Sequence, residues 1–245
     1  MKSIIPVFFL LCCLSAAAQV KIHAHNDYEK PLPLTNALAN RAFSIEADVF
    51  LRDNRLLVAH NAKDITDERS LDALYIQPIV ALFKKNKGSI SSDKSYHPAL
   101  MIDVKEGGRG AITLLAKKLA PYGDCFDPKK NKHAVQVIIS GDRGLISDWN
   151  NVPSFIFFDG RPNEQYDSRT LARVALISDG YSGYASRPER IDSVLRNAHS
   201  KGKPFRFWGT PDDEKHWKMF HEAGVDIINT DKPELCRRFF ATNKD

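Results

Sequence analysis

The sequence predicts a single (β/α)8 TIM barrel, and three observations carry that prediction. Eight short apolar runs recur along the 245 residues. Helix-like segments separate most of them, and strand–helix alternation implies parallel pairing with crossover connections. Ionisable residues stand inside the runs or close their C-terminal ends, the face on which such a barrel builds its chemistry. An open doubly wound sheet is the competing arrangement. No Gly-x-Gly-x-x-Gly follows any run, so its dinucleotide-binding version has no support. A composition of 43% hydrophobic and 27% charged residues excludes a disordered chain, a collagen and a polytopic membrane protein. The net charge of +5 is diffuse. It suits a small anionic substrate, and no basic stripe interleaved with aromatics argues for nucleic acid.

The first residues read as a leader. Lys2 gives a positive start, residues 4–14 are almost wholly apolar, and Ser15-Ala16-Ala17-Ala18 follows. This is the layout of a secretory signal peptide, with Ala16-x-Ala18 at the cut. The apolar run is short for a membrane span. Cys12 and Cys13 raise a lipoprotein reading, weakened because the alanines come after them. The expected organisation is therefore a signal peptide over 1–18 and one barrel domain over 19–245. The mature chain would be periplasmic or secreted, with no transmembrane segment. Cys125 and Cys236 remain in it, free to pair or to stay as buried thiols.

In chain order, the predicted strands are residues 20–25, 43–51, 99–105, 134–140, 154–159, 174–178, 204–208 and 225–230. Predicted helices cover 35–41, 110–119, 188–200, 212–223 and 233–241. Thr210-Pro211-Asp212 supplies a helix start and Gly224 a stop. Asp231-Lys232-Pro233-Glu234 opens the last helix in the same way. The polar run 84–97 reads as a surface loop, and no domain boundary is evident.

His25 closes the first run. Glu46 and Asp48 interrupt the second, two apart, so both point to one face while Ile45, Ala47 and Val49 point to the other. His60 ends a short extended run, 56–60, and Asp103 and Lys105 share a face at the end of the third strand. Asp159 precedes Gly160 and reads as a turn residue; Asp231 follows the eighth strand. Arg206 and Trp208 share a face, with Trp208 the terminal strand residue and a candidate floor for a substrate pocket. Carboxylates pointing into a barrel are disfavoured unless paired or metal-bound. Glu46, Asp48 and Asp103 therefore read either as ligands of a hard divalent cation, Mg²⁺ or Ca²⁺, or as a salt bridge with a base such as Lys105. His25 and His60 read as catalytic imidazoles or as structural ones.

Six stretches carry a resemblance. They are Ala24-His25-Asn26-Asp27, Ser44-Ile45-Glu46-Ala47-Asp48-Val49, Leu57-Val58-Ala59-His60-Asn61, Leu100-Met101-Ile102-Asp103-Val104-Lys105, Phe207-Trp208-Gly209-Thr210 and Ala223-Gly224-Val225-Asp226-Ile227-Ile228-Asn229-Thr230-Asp231-Lys232-Pro233. In this order they resemble the glycerophosphodiester phosphodiesterases, within the superfamily of phospholipase-C-like phosphodiesterases. The resemblance implies a barrel that hydrolyses small-molecule or lipid-derived phosphodiesters with a divalent metal. It implies catalytic roles for His25 and His60, and metal ligation by Glu46, Asp48 and Asp103. It implies substrate contacts from Lys105, Trp208 and the residue after the first histidine. That residue is Asn26 where the family carries a phosphate-binding Arg, and Asp103 stands where it usually has Glu. Residues 61–98 are short for the family's insertion subdomain.

Two other classes compete. His23-Ala24-His25 resembles the opening of a metal-dependent amidohydrolase, but the later strand ends carry Asp159 and Asp179 where such enzymes need His. A non-catalytic phosphate- or sugar-binding barrel is the other, motivated by Asn26 and Asp103.

Overall fold

A computed structural model describes residues 19–242; the leader predicted over 1–18 lies outside the described residues. The β-branched and aromatic runs form strands because each must bury both faces, one toward the barrel axis and one toward the helices. The parallel strands are β1 (Lys21–Ala24), β2 (Ser44–Arg52), β4 (Ala99–Glu106), β5 (Gln136–Gly141), β6 (Ile156–Gly160), β7 (Val174–Gly180), β8 (Phe205–Trp208) and β9 (Ile227–Thr230). β1 pairs with both β2 and β9, which closes the eight into a barrel. A further strand, β3 (Arg55–Val58), lies antiparallel to the outer half of β2. It returns the chain so that His60 arrives beside Asp48.

The helices are α1 (Thr35–Ala39), α2 (Gln77–Lys85), α3 (Gly108–Leu119), α4 (Gly123–Phe126), α5 (Ser168–Leu171), α6 (Ile191–Ser200), α7 (Glu214–Glu222) and α8 (Pro233–Thr242). α2 continues a π-turn over Asp72–Ile76 and covers the β3–β4 connection, a helix absent from those predicted. α7 starts later than predicted. Its cap is Asp213, which accepts from the His216 amide (3.0 Å), while the Thr210 hydroxyl donates to the Asn229 carbonyl instead. Gly224 ends the helix with φ 87°. No helix among the described residues is long and apolar enough to cross a membrane. Cys125 and Cys236 are both buried free thiols.

The main core lies between barrel and helices, built on outward residues such as Ile45, Ala47, Val49, Ile102 and Val104. A second apolar cluster of Ala99, Met101, Ile138, Leu176 and Ile227 fills the barrel floor. Above that floor the interior turns polar.

Candidate functional site

Strand parity sets the site in layers. Met101 and Asp103 face the same way along β4, so the apolar floor gives way to charge within two residues. The middle layer holds His23, Glu46, Ser140, Asp159, Ser178, Arg206 and Asn229, all buried. The mouth above it holds His25, Asp48, His60, Asp103, Lys105, Arg161, Trp208 and Asp231.

The middle layer is an ion-pair lattice. His23 Nε2 lies 2.7 Å from Glu46 Oε2, and His23 Nδ1 lies 2.7 Å from Ser44 Oγ. Burial and the nearby Arg206 charge lower the His23 pKa to about 4, so the ring is neutral at pH 7. It accepts from Ser44 and donates to Glu46. Burial alone would raise Glu46, but the His23 hydrogen bond and neighbouring charges, Arg206 among them, hold it low and ionised. Arg206 reaches Glu46 with Nη1 (3.5 Å) and Asp159 with Nη2 (3.4 Å), and donates to Asn229 (2.9 Å).

Asp159 is not the turn residue that its place before Gly160 suggests. β6 runs through Gly160, and Asp159 faces inward, fully buried. It accepts from Ser140 (2.9 Å) and Ser178 (2.7 Å) and pairs with Arg161 Nη1 (3.0 Å). Burial disfavours its charge, yet Arg161, Arg206 and the two hydroxyls together lower its pKa.

At the mouth, Glu46, Asp48 and Asp103 each offer an oxygen within 4.8 Å of the others. Asp48 is buried; burial first, and then the charge of Glu46, push its carboxyl up to about 6, with Lys105 pulling the other way. Among the described residues its Oδ1 has no hydrogen-bond partner. Lys105 Nζ contacts Asp48 (2.8 Å) and Asp103 (2.5 Å), so the ion pair expected as the alternative to a metal is also present. An orphaned buried oxygen in an all-oxygen acidic cluster fits a hard divalent cation. Lys105 sits on a flexible stem with 27% of its side chain exposed, so it can yield its place.

His25 Nδ1 lies 2.6 Å from Asp231 Oδ1, and its Nε2 lies 3.6 Å from Glu46 Oε1. Burial would lower the His25 pKa; the Asp231 hydrogen bond and the charges of Glu46 and Asp231 more than offset this and raise it. His60 is more exposed, with Nδ1 3.3 Å from Asp48 Oδ2 and 3.2 Å from the Tyr28 hydroxyl. That hydroxyl also lies 2.7 Å from Asp48 Oδ2 and 2.8 Å from Asn26 Oδ1. Asn26 Nδ2 reaches Asp231 at 3.4 Å, so its amide is engaged at both ends. Trp208 lies half-exposed at the rim, packed over Gly180, where a Cβ would stand 2.9 Å from the ring.

The sequence pattern does not reveal His23 as the middle-layer partner of Glu46, nor Tyr28, Arg161 or the Asp231–His25 contact. Asp231 lies 206 positions from His25, and no local pattern links them. Asp159 had a usable signal, since Phe157 and Asp159 share a strand face. The His-x-His of the amidohydrolase reading is not a paired ligand set here, because His23 is turned to Ser44 and Glu46.

The family model for the AIM6-like phosphodiesterase domain matches residues 13–159, and that for the glycerophosphoryl diester phosphodiesterase family matches residues 204–234. The chain is 26% identical over 263 residues to the altered inheritance of mitochondria protein 6 homolog of Arthroderma benhamiae, covering 90% of this chain and 84% of that one. Among solved structures, a glycerophosphodiester phosphodiesterase from Parabacteroides distasonis superposes with a TM-score of 0.59 at 19% identity, over 91% of this chain and 98% of that one. A Ca²⁺-dependent phosphatidylinositol-specific phospholipase C from Streptomyces antibioticus gives 0.55 at 11% identity, over 89% and 95%. A barrel closed by eight parallel strands and a family match over 147 of the 245 residues lead to one conclusion: the chain belongs to the AIM6-like phosphodiesterase domain family.

Proposed function

We propose that this protein is a metal-dependent phosphodiester hydrolase acting on glycerophosphodiesters or related phospholipid-headgroup diesters, exported by its N-terminal leader. The observation that carries the reading is the meeting, at one barrel mouth, of three carboxylates within 4.8 Å and two imidazoles that contact them. Glu46, Asp48 and Asp103 would hold Mg²⁺ or Ca²⁺. A divalent cation there would offset the negative charge of the phosphodiester and make the attacking hydroxyl more acidic.

The chain's own residues supply the proton transfers. Asp231 fixes one face of His25 and leaves Nε2 toward the acidic cluster. His60 stands on the other side of that cluster, steadied by Tyr28 and Asp48. One imidazole takes the proton from the attacking hydroxyl, a neighbouring hydroxyl of the substrate or water. The new P–O bond forms, the P–O bond to the departing alcohol breaks, and the other imidazole protonates that alcohol. Where the first step leaves a cyclic phosphate, the two exchange roles as water opens it. Lys105 would turn from the carboxylates to the phosphate, and Trp208 would line the pocket.

The direct test is turnover of a generic phosphodiester with and without EDTA, and in His25→Ala and His60→Ala. Each variant is expected to lose about 10²–10⁴-fold, and chelation to abolish turnover. Turnover undiminished under all these conditions would overturn the reading. One observation favours a second reading, a non-catalytic phosphate- or sugar-binding barrel: Lys105 already meets the charge of Asp48 and Asp103. Binding of a phosphodiester panel without any hydrolysis would select it.

A further inference from the structure

A phosphodiester is an anion, and its pocket needs fixed donors as well as a cation. Position 26, for which the resemblance implies a phosphate-binding arginine, holds Asn26, whose amide is tied to Tyr28 and Asp231. Arg206 is sealed beneath the mouth with 3% of its side chain exposed. Arg161 is differently placed. It follows β6, on the wall of the barrel opposite β1, and folds back over the end of its own strand. Nη1 is pinned by Asp159 Oδ2 (3.0 Å), the Gly160 carbonyl (3.0 Å) and Ser178 Oγ (3.1 Å). Among the described residues Nε and Nη2 have no partner, and 21% of the side chain is exposed.

The inward nitrogen is anchored on buried groups of β6 and β7, so the guanidinium lies across the top of the middle layer. A planar guanidinium held along one edge presents the other as a preorganised fork for phosphate oxygens.

We propose that Arg161 is a substrate-binding residue: it supplies from the far wall the guanidinium contact to a phosphate-ester oxygen that position 26 does not. The proposal rests on the phosphodiesterase reading. Its test is calorimetric titration of the protein with sn-glycerol 3-phosphate, beside turnover of a glycerophosphodiester. Arg161→Gln is expected to weaken binding about tenfold or more, and Arg161→Lys to restore part of it. The double variant Arg161→Gln/Asp159→Asn removes the buried charge left by the first change. If Arg161 touches the ligand, the double variant stays weak. If Arg161 only holds the fold, the double variant binds like the wild type, and the proposal falls. A wild-type protein that binds no phosphate ester also overturns it. Arg161-dependent binding without any turnover sustains the anion contact while removing the hydrolase reading.

Discussion

Gly141 shows how one missing side chain positions a functional one. It closes β5 with φ 66°, and a Cβ built there would stand 2.2 Å from Asp103 Oδ1 and 2.4 Å from the Val104 carbonyl. The Asp103 carboxylate occupies the space that any other residue would fill. The short Asp103 side chain thus has a local counterpart on the neighbouring strand. Gly141→Ala is expected to cost about 1–2 kcal/mol from the left-handed backbone. It should also push Asp103 away from Asp48 and Glu46, weakening divalent-ion binding about 10–100-fold. Calorimetric titration with Mg²⁺ or Ca²⁺, with circular dichroism to establish folding, checks both. A folded variant with unchanged ion affinity would remove Asp103 from the ligand set. Glu46, Asp48, Asp103 and Lys105 were legible in the sequence because strand parity alone assigns their faces. The same parity, carried one residue past the supposed turn, would have placed Asp159 inside. Arg161 was not legible: it lies beyond its strand, and only the folded path of its side chain returns it to the mouth.

The β6–α5 connection, residues 161–167, is held as an element by one carboxylate. Glu164 accepts from Arg143 through two nitrogens (2.7 and 3.0 Å), from the Arg161 amide (2.9 Å) and from the Tyr166 hydroxyl. Burial would raise its pKa, but the Arg143 and Tyr166 hydrogen bonds lower it. A carboxyl lowered on folding stabilises fully above its unfolded value, about 4.3. That contribution fades as pH falls through the lower folded value. Glu164→Gln is therefore expected to be less stable than wild type in urea at pH 7, with the gap shrinking by pH 3. A gap constant across that range would show that the Glu164 charge contributes nothing. Connections of this kind also explain which elements the sequence hid. The β5–β6 crossover is a 3₁₀ turn over Ile146–Asn151, and α5 is a single turn; neither is long enough to print a helical period. α2 does carry apolar residues at Ile79, Val80, Leu82 and Phe83. Pro78 and the π-turn before it break the repeat at the place where a helix start would be sought.

At the scale of the whole molecule, the eight strands were countable from the sequence, but their closure was not, because the seam joins the two ends of the chain. β1 meets β2 over only two residue pairs, His23 with Ser44 and Ala24 with Ile45, and meets β9 over four. The seam is reinforced from outside by Arg237 on α8. Its guanidinium donates to the carbonyls of Val20 (2.9 Å), Asn40 (3.1 Å) and Arg41 (3.0 Å), and so ties the last helix to the lead-in of β1 and the turn before β2. His23 and His25 stand on β1 or directly after it, so the same seam fixes the site. Charge-assisted hydrogen bonds to carbonyls contribute about 1.5–3 kcal/mol each when fully desolvated; Arg237 is only partly buried. Arg237→Ala is therefore expected to lower global stability by about 2–4 kcal/mol. In a barrel that unfolds as one unit, the loss should shift the urea midpoint and leave the slope unchanged. A reduced slope would instead indicate that β1 and α8 detach before the rest of the barrel. In that case phosphodiester turnover should fall at lower urea than the far-UV signal of the remaining strands and helices.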